Sequence, residues 1–199
     1  MVIRKEFKFE GAYIVRNCSS ERCKKSIHGH SYVVEVFFKA NGLDNGQMIY
    51  DFGLTKGTIK DIIDSFDHAY SMWDKESDKF RNFIKEESAR YIEMPVSPSA
   101  EAYSLMFLFI IDKMLKATQF ANGENGVSVS AVRVHETVTG YAESNIEDLN
   151  WVAYNLEDII FSDDIKEEWG DATMYDNLIN FTNNGGDYPF INSKVEQQI

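Results

Sequence analysis

The chain is short of several things, and each shortage excludes a class of protein. Its longest unbroken apolar run, Leu105 to Ile111, falls far below the roughly 20 residues that a membrane-spanning helix needs. The opening "MVIRKEFKFE" lacks the apolar core of a secretory leader. The expectation is a soluble chain of the cytoplasm. Cysteine is scarce too: Cys18 and Cys23 are too few and too close to build a disulfide framework, which leaves a free or catalytic thiol. Basic residues are outnumbered, with 20 Lys and Arg against 32 Asp and Glu and a net charge of −12. That balance argues against a nucleic-acid backbone or an anionic membrane as the main partner. An anionic ligand would need a local basic patch.

What is present is enough for a packed core, since 44% of the 199 residues are hydrophobic. The length corresponds to one or two domains. Residues 2–15 and "HSYVVEVFFKA" read as strands, separated by the polar loop "RNCSSERCKKS". "NGLDNG" is a turn by composition, and "QMIYDF" reads as a third strand after it. "LTKGTIKDIIDSF" puts Ile59, Ile62, Ile63 and Phe66 on one helical face. "SPSAEAYSLMFLFIIDKMLKA" is a longer, more buried helix capped by Ser97 or Ser99. The charged segment "DKESDKFRNFIKEES" lies between the two helices, and "VSVSAVRVHETVTGYAES" returns to period two. From about Asn145 the chain becomes acidic and largely helical in pattern. It then turns Asn- and Gly-rich with little periodicity, as expected of a packed helix followed by a loose tail.

The candidate chemistry starts at "CKKSIHGHSY". On a strand, His28 and His30 project to the same side about 6.6 Å apart along the chain, a spacing that two ligands can close onto one Zn²⁺. Gly29 leaves the intervening face open. Two imidazoles alone are more often ordinary surface or hydrogen-bonded histidines than a metal site. Other groups keep them company: Asp67 beside His68 after the first helix, Glu136 at a strand end, and Cys23 ahead of the pair. A thiol, an imidazole, a carboxylate and a metal pair make a proton-transfer set.

In this order and spacing, "FKFEGAYIV", Cys23 before "HGHSY", "GQMIYDF", "DHAYS", "SPSAE" and "HET" resemble the 6-pyruvoyltetrahydropterin synthase family over residues 3–144. The likeness is greatest to its bacterial 6-carboxytetrahydropterin synthase branch, which serves the queuosine pathway. The resemblance implies an α+β tunnelling fold, ββααββ, whose four-stranded antiparallel sheets close into a barrel in a trimer or hexamer, with active sites between subunits. It implies a lyase acting on 7,8-dihydroneopterin triphosphate with a Zn²⁺ cofactor. Carried over residue by residue, Cys23 is the general base, Asp67 and His68 are its relay partners, Glu136 holds the pterin ring, and His28 and His30 are zinc ligands. Cys18 is the rival for the role of Cys23. Arg16, Arg22, Lys24 and Lys25 make the loop the basic patch sought for a triphosphate. Glu101 stands where family members carry an acid after Pro-Thr or Pro-Ser, and helix N-terminal capping explains it almost as well.

One position departs from the family pattern. Where the third zinc-binding histidine belongs, this chain has Tyr13. A phenol, with an ordinary pKa near 10, ligates well only once deprotonated. Three outcomes stand open: Tyr13 binds as phenolate, water replaces the imidazole, or the metal is weak or absent. His135 points to the face opposite Glu136 and offers no substitute. Two functions therefore stand side by side: a zinc-assisted synthase, making a carboxy or a pyruvoyl product, and a catalytically impaired relative that binds a pterin or purine. Residues 1–144 form the expected synthase domain, and 145–199 an acidic C-terminal extension.

Overall fold

The computed structural model describes residues 1–192. Its first two strands, β1 (Val2–Tyr13) and β2 (His28–Lys39), pair antiparallel, with Tyr13 opposite His28 and Gly11 opposite His30. Alternation sends Phe7, Phe9 and Tyr13 of β1 and Tyr32, Val34, Val36 and Phe38 of β2 into the core. Lys8 and Glu10 face outward. Between the strands, Glu21–Lys25 forms one short helical turn, α1.

The expected third strand does not form. Residues 47–52 are turns and bends, because the buried Asp44 carboxylate takes the amides of Gly46 and Met48, each at 2.8 Å. Ile49 and Tyr50 are still buried, Tyr50 packing 5.4 Å from the Phe38 ring. The apolar character of the segment therefore reflects anchoring against the core and not a ladder.

Helix α2 (Thr58–Asp64) buries Ile59, Ile62 and Ile63, and Phe66 follows into the same core. Two strands absent from the sequence reading come next, β3 (Ala69–Trp73) and β4 (Tyr91–Met94), flanking helix α3 (Asp78–Glu87). The long helix α4 (Ala100–Lys116) starts at Ser99, whose hydroxyl accepts from the Ala102 amide at 3.1 Å. Ser97 instead accepts from the Arg16 amide. After β5 (Thr118–Phe120) the hairpin of β6 (Ser128–Thr137) and β7 (Gly140–Asn145) completes the antiparallel part.

The sheet order is β7-β6-β2-β1-β3-β4 plus a short β8 (Ile160–Phe161) beyond β4. The four antiparallel strands β7-β6-β2-β1 are those the sequence pattern anticipates, while β3 and β4 add in parallel to β1. The fold is α+β, with a mostly antiparallel sheet packed on α2 and α4.

Residues 145–192 contain α5 (Asp163–Glu167), α6 (Met174–Asn184) and β9 (Phe190–Asn192), which pairs with β5. Part of the expected loose tail is thus ordered, and residues 193–199 of it lie outside the described residues. Leu156, Phe161, Ile165, Trp169, Tyr175 and Leu178 join the same hydrophobic cluster as α4. Among the described residues no helix is long and apolar enough to cross a membrane.

Candidate active site

The site is built at one end of β1, β2 and β6. His28 and His30 share the core-side face of β2, with their rings 5.7 Å apart. Gly29 lies between them because a Cβ there would run into the Gly11 carbonyl oxygen across the strand pair. His28 Nδ1 lies 2.9 Å from the Ser26 carbonyl oxygen. A proton on Nδ1 satisfies that contact and leaves the Nε2 lone pair free for a ligand.

Tyr13, directly opposite His28, is fully buried, its ring 4.6 Å from that imidazole and 6.1 Å from Tyr103. Its hydroxyl donates to the Glu136 carboxylate. Burial first, and then the hydrogen bond to Glu136, push the phenol further above its ordinary pKa. At neutral pH it is a donor and not a phenolate. The donor set therefore does not fit zinc: two imidazoles and a protonated phenol fall short of the three ligands that a catalytic site supplies. Among the described residues no group of three or more His, Cys, Asp or Glu is placed to hold a metal ion.

Glu136 lies between two clefts. Its Oε1 is 3.6 Å from His30 Nε2, close but outside hydrogen-bond range. On its other side it lines a cleft of about 480 Å³ with Cys18, Cys23, Ser99 and Glu101. Both thiols are free and half-buried, so the structure brings both rivals to the same cleft. Three of the four loop cations are engaged locally. Arg16 pairs with Glu76 at 2.5 Å and donates to the Lys24 carbonyl, while Lys24 and Lys25 both pair with Glu21.

Asp67 and His68 are elsewhere. His68 lines a second cleft, of about 490 Å³, with Glu10, His30, Ser31 and Tyr70. Asp67 Oδ1 accepts from the Glu10 amide at 2.7 Å, and Oδ2 lies 2.9 Å from His68 Nδ1. Burial acts to raise the Asp67 pKa, but the Glu10 amide, His68 and Arg90 outweigh it and hold the carboxyl below its ordinary range. With its proton on Nδ1, His68 presents Nε2 as a base. The side chain is 76% exposed. One chain thus joins Cys23 to Glu136 and His30 to His68, but it does not bring Cys23 and His68 into one cleft.

His135 lies on the opposite face of the sheet, 2.9 Å from Glu35. Sequence reasoning missed the link from Tyr13 to Glu136 and the role of Arg90, which donates to the Asp67 carbonyl at 2.9 Å. No local signal marks either, since the partners are far apart in sequence.

The α+β sheet carries thiol, imidazole and carboxylate groups at one end, the kind of set an enzyme uses to move protons. Comparison with known proteins makes the assignment specific. The chain belongs to the 6-pyruvoyl tetrahydropterin synthase family, whose model matches residues 2–147. It is 45% identical over 183 residues to a Helicobacter pylori protein named 6-carboxy-5,6,7,8-tetrahydropterin synthase, covering 90% of this chain and 92% of that one. An Aquifex aeolicus protein of the same name is 30% identical over 67% of this chain and 82% of its own. Among solved structures, an uncharacterized protein from Wolinella succinogenes superposes with a TM-score of 0.59 at 18% identity, over 73% of this chain and 98% of that one. The 6-pyruvoyl tetrahydropterin synthase of Plasmodium vivax gives 0.52 at 18% identity, over 73% and 99%. At that identity these structures speak for the fold alone.

Proposed function

We propose that this chain is a 6-carboxy-5,6,7,8-tetrahydropterin synthase, a lyase that takes 7,8-dihydroneopterin triphosphate towards queuosine and related 7-deazapurines in the cytoplasm. The observation that carries the reading is the cleft in which Cys23 faces Glu136, in a chain so close to the Helicobacter pylori protein of that name.

Each residue has a task its surroundings suit. The Glu136 carboxylate accepts from the amino and ring N–H edge of the pterin, a bidentate fit of the kind made to guanidinium. Tyr13 holds one of its oxygens in place. Cys23, as thiolate, removes a carbon-bound proton from the side chain of the substrate. His68, set by Asp67, exchanges protons through Nε2. Since His68 and Cys23 of one chain lie in different clefts, the relay is completed by the outward-facing His68 of a neighbouring copy in a trimer or hexamer closed as a barrel. Residues 1–144 form the synthase unit of this assembly, and 145–199 an acidic extension of it.

Zinc is the metal the family resemblance implies, with His28, His30 and position 13 as its ligands. With Tyr13 held as a donor to Glu136, only the two imidazoles are left to bind a metal, fewer ligands than a catalytic site supplies. The same contact favours a second reading, a pterin- or purine-binding relative with impaired turnover. Incubating the purified protein with 7,8-dihydroneopterin triphosphate and identifying the products separates the two. Release of acetaldehyde with a 6-carboxypterin supports the synthase; a pyruvoyl product moves the chain to the sister activity. Substrate bound but unchanged supports the second reading.

A further inference from the structure

The C-terminal extension grips the segment that carries Asp67 and His68. His68 has a φ of +53°, a left-handed conformation that a side chain other than glycine adopts at some cost and keeps only where its surroundings over-determine it. On one side β1 supplies the constraint: the His68 amide donates to the Glu10 carbonyl at 2.7 Å, and the Glu10 amide donates to Asp67. On the other side stands Arg90, whose Nε donates to the Asp67 carbonyl at 2.9 Å and whose Nη2 donates to the Asp64 carbonyl at 3.0 Å. Its remaining nitrogen, Nη1, is taken by Glu168, a residue of the extension.

A second tie lies beside the first. The buried Trp169 indole donates to the buried Ser65 hydroxyl at 2.9 Å, which in turn donates to the Asp61 carbonyl at 2.7 Å. The Gly170 amide donates to the Asp61 carboxylate at 3.2 Å. Phe161 packs edge-on against both Phe66, at 6.2 Å, and Trp169, at 5.3 Å. Every one of these extension residues lies beyond residue 147, where the family match ends.

We propose that Glu168 and Trp169 are positioning residues. Through Arg90 and Ser65 they hold the turn at residues 64–68 so that the His68 imidazole is presented at a fixed angle. The inference rests on the reading of His68 as a proton carrier. A positioning effect predicts loss in turnover and not in substrate capture, because nothing in the latch lines either cleft that holds substrate in that reading.

The test uses the full-length protein with 7,8-dihydroneopterin triphosphate and the variants Glu168→Gln and Trp169→Phe. Glu168 is 61% exposed, so its amide variant folds even if Trp169→Phe does not. Each substitution is expected to lower kcat about ten-fold with little change in KM. In a His68→Ala background neither lowers it further, since the group being positioned is gone. Undiminished kcat in both variants, or the same fractional loss with and without His68, overturns the proposal. If His68→Ala itself proves fully active, the proton-carrier reading fails instead. The latch is then judged by NMR of the four histidine rings. A His68 signal that moves in Glu168→Gln while those of His28, His30 and His135 stay put retains it, and an unmoved His68 signal rejects it.

Discussion

The Tyr13 hydroxyl donates to the Glu136 carboxylate across 123 residues of sequence, joining the end of β1 to the end of β6. Together with burial, that bond keeps the phenol protonated, and it orients the carboxylate and takes position 13 out of the set of ligands open to a metal.

Replacing Tyr13 with histidine exchanges a donor for a third imidazole. Zinc retained after dialysis, measured by elemental analysis, is expected to rise to about one ion per chain, with turnover rising alongside it. If neither metal content nor rate increases in Tyr13→His, position 13 is not the place of the missing ligand.

Tyr13→Phe keeps the ring in its aromatic cluster with His28, Tyr32 and Tyr103 but removes the donor. The orienting bond is worth about 1 kcal/mol, or roughly five-fold in affinity, and pterin binding followed by fluorescence is expected to weaken by that factor. Glu136→Gln removes the charge itself and is expected to weaken binding by about 10- to 100-fold. Equal effects from the two variants contradict the assignment of Glu136 as the pterin contact.

Cys18 and Cys23 line one cleft, so substitution decides between them. Cys23→Ser is expected to lower kcat by about 100-fold or more, and Cys18→Ser to leave it nearly intact. The opposite pattern transfers the role of base to Cys18.

On the other face of the sheet, Glu35 is buried among Arg4, Arg133 and His135. Burial works to raise its pKa, but His135 and the two guanidinium groups prevail and hold it below the ordinary value. The unfolded chain returns Glu35 to about 4.3. The stabilisation is therefore complete above that pH and disappears as pH falls through the lower folded value. Glu35→Gln is expected to cost on the order of 1–3 kcal/mol at neutral pH, trimmed by the half-exposed Arg4, and to flatten the acid limb of a denaturant midpoint plotted against pH. An unchanged acid limb contradicts the role given to this carboxylate.

Much of this was legible because it is periodic. Alternation in "HSYVVEVFFKA" placed His28 and His30 on one face, and the spacing of Ile59, Ile62 and Ile63 gave the buried face of α2. Residues 47–52 misled because Ile49 and Tyr50 are buried singly while Asp44 captures the amides a strand would need. Strands β3 and β4 escaped notice because four or five residues in a parallel, buried position show no alternation. In the site, residue types and strand faces were readable, but the split into two clefts was not. Nothing near Cys23 or His68 in sequence records which residues come to stand beside them in space.

The two-residue strand β8 has a consequence for how the sheet meets other chains. By pairing with Ile92 and Glu93 it covers the middle of β4 and becomes a very short outer strand there. The opposite border, β7, has no strand beyond it among the described residues. A sheet continued into neighbouring copies meets six residues of β7 at one border and only two of β8 at the other, so β7 offers the longer template.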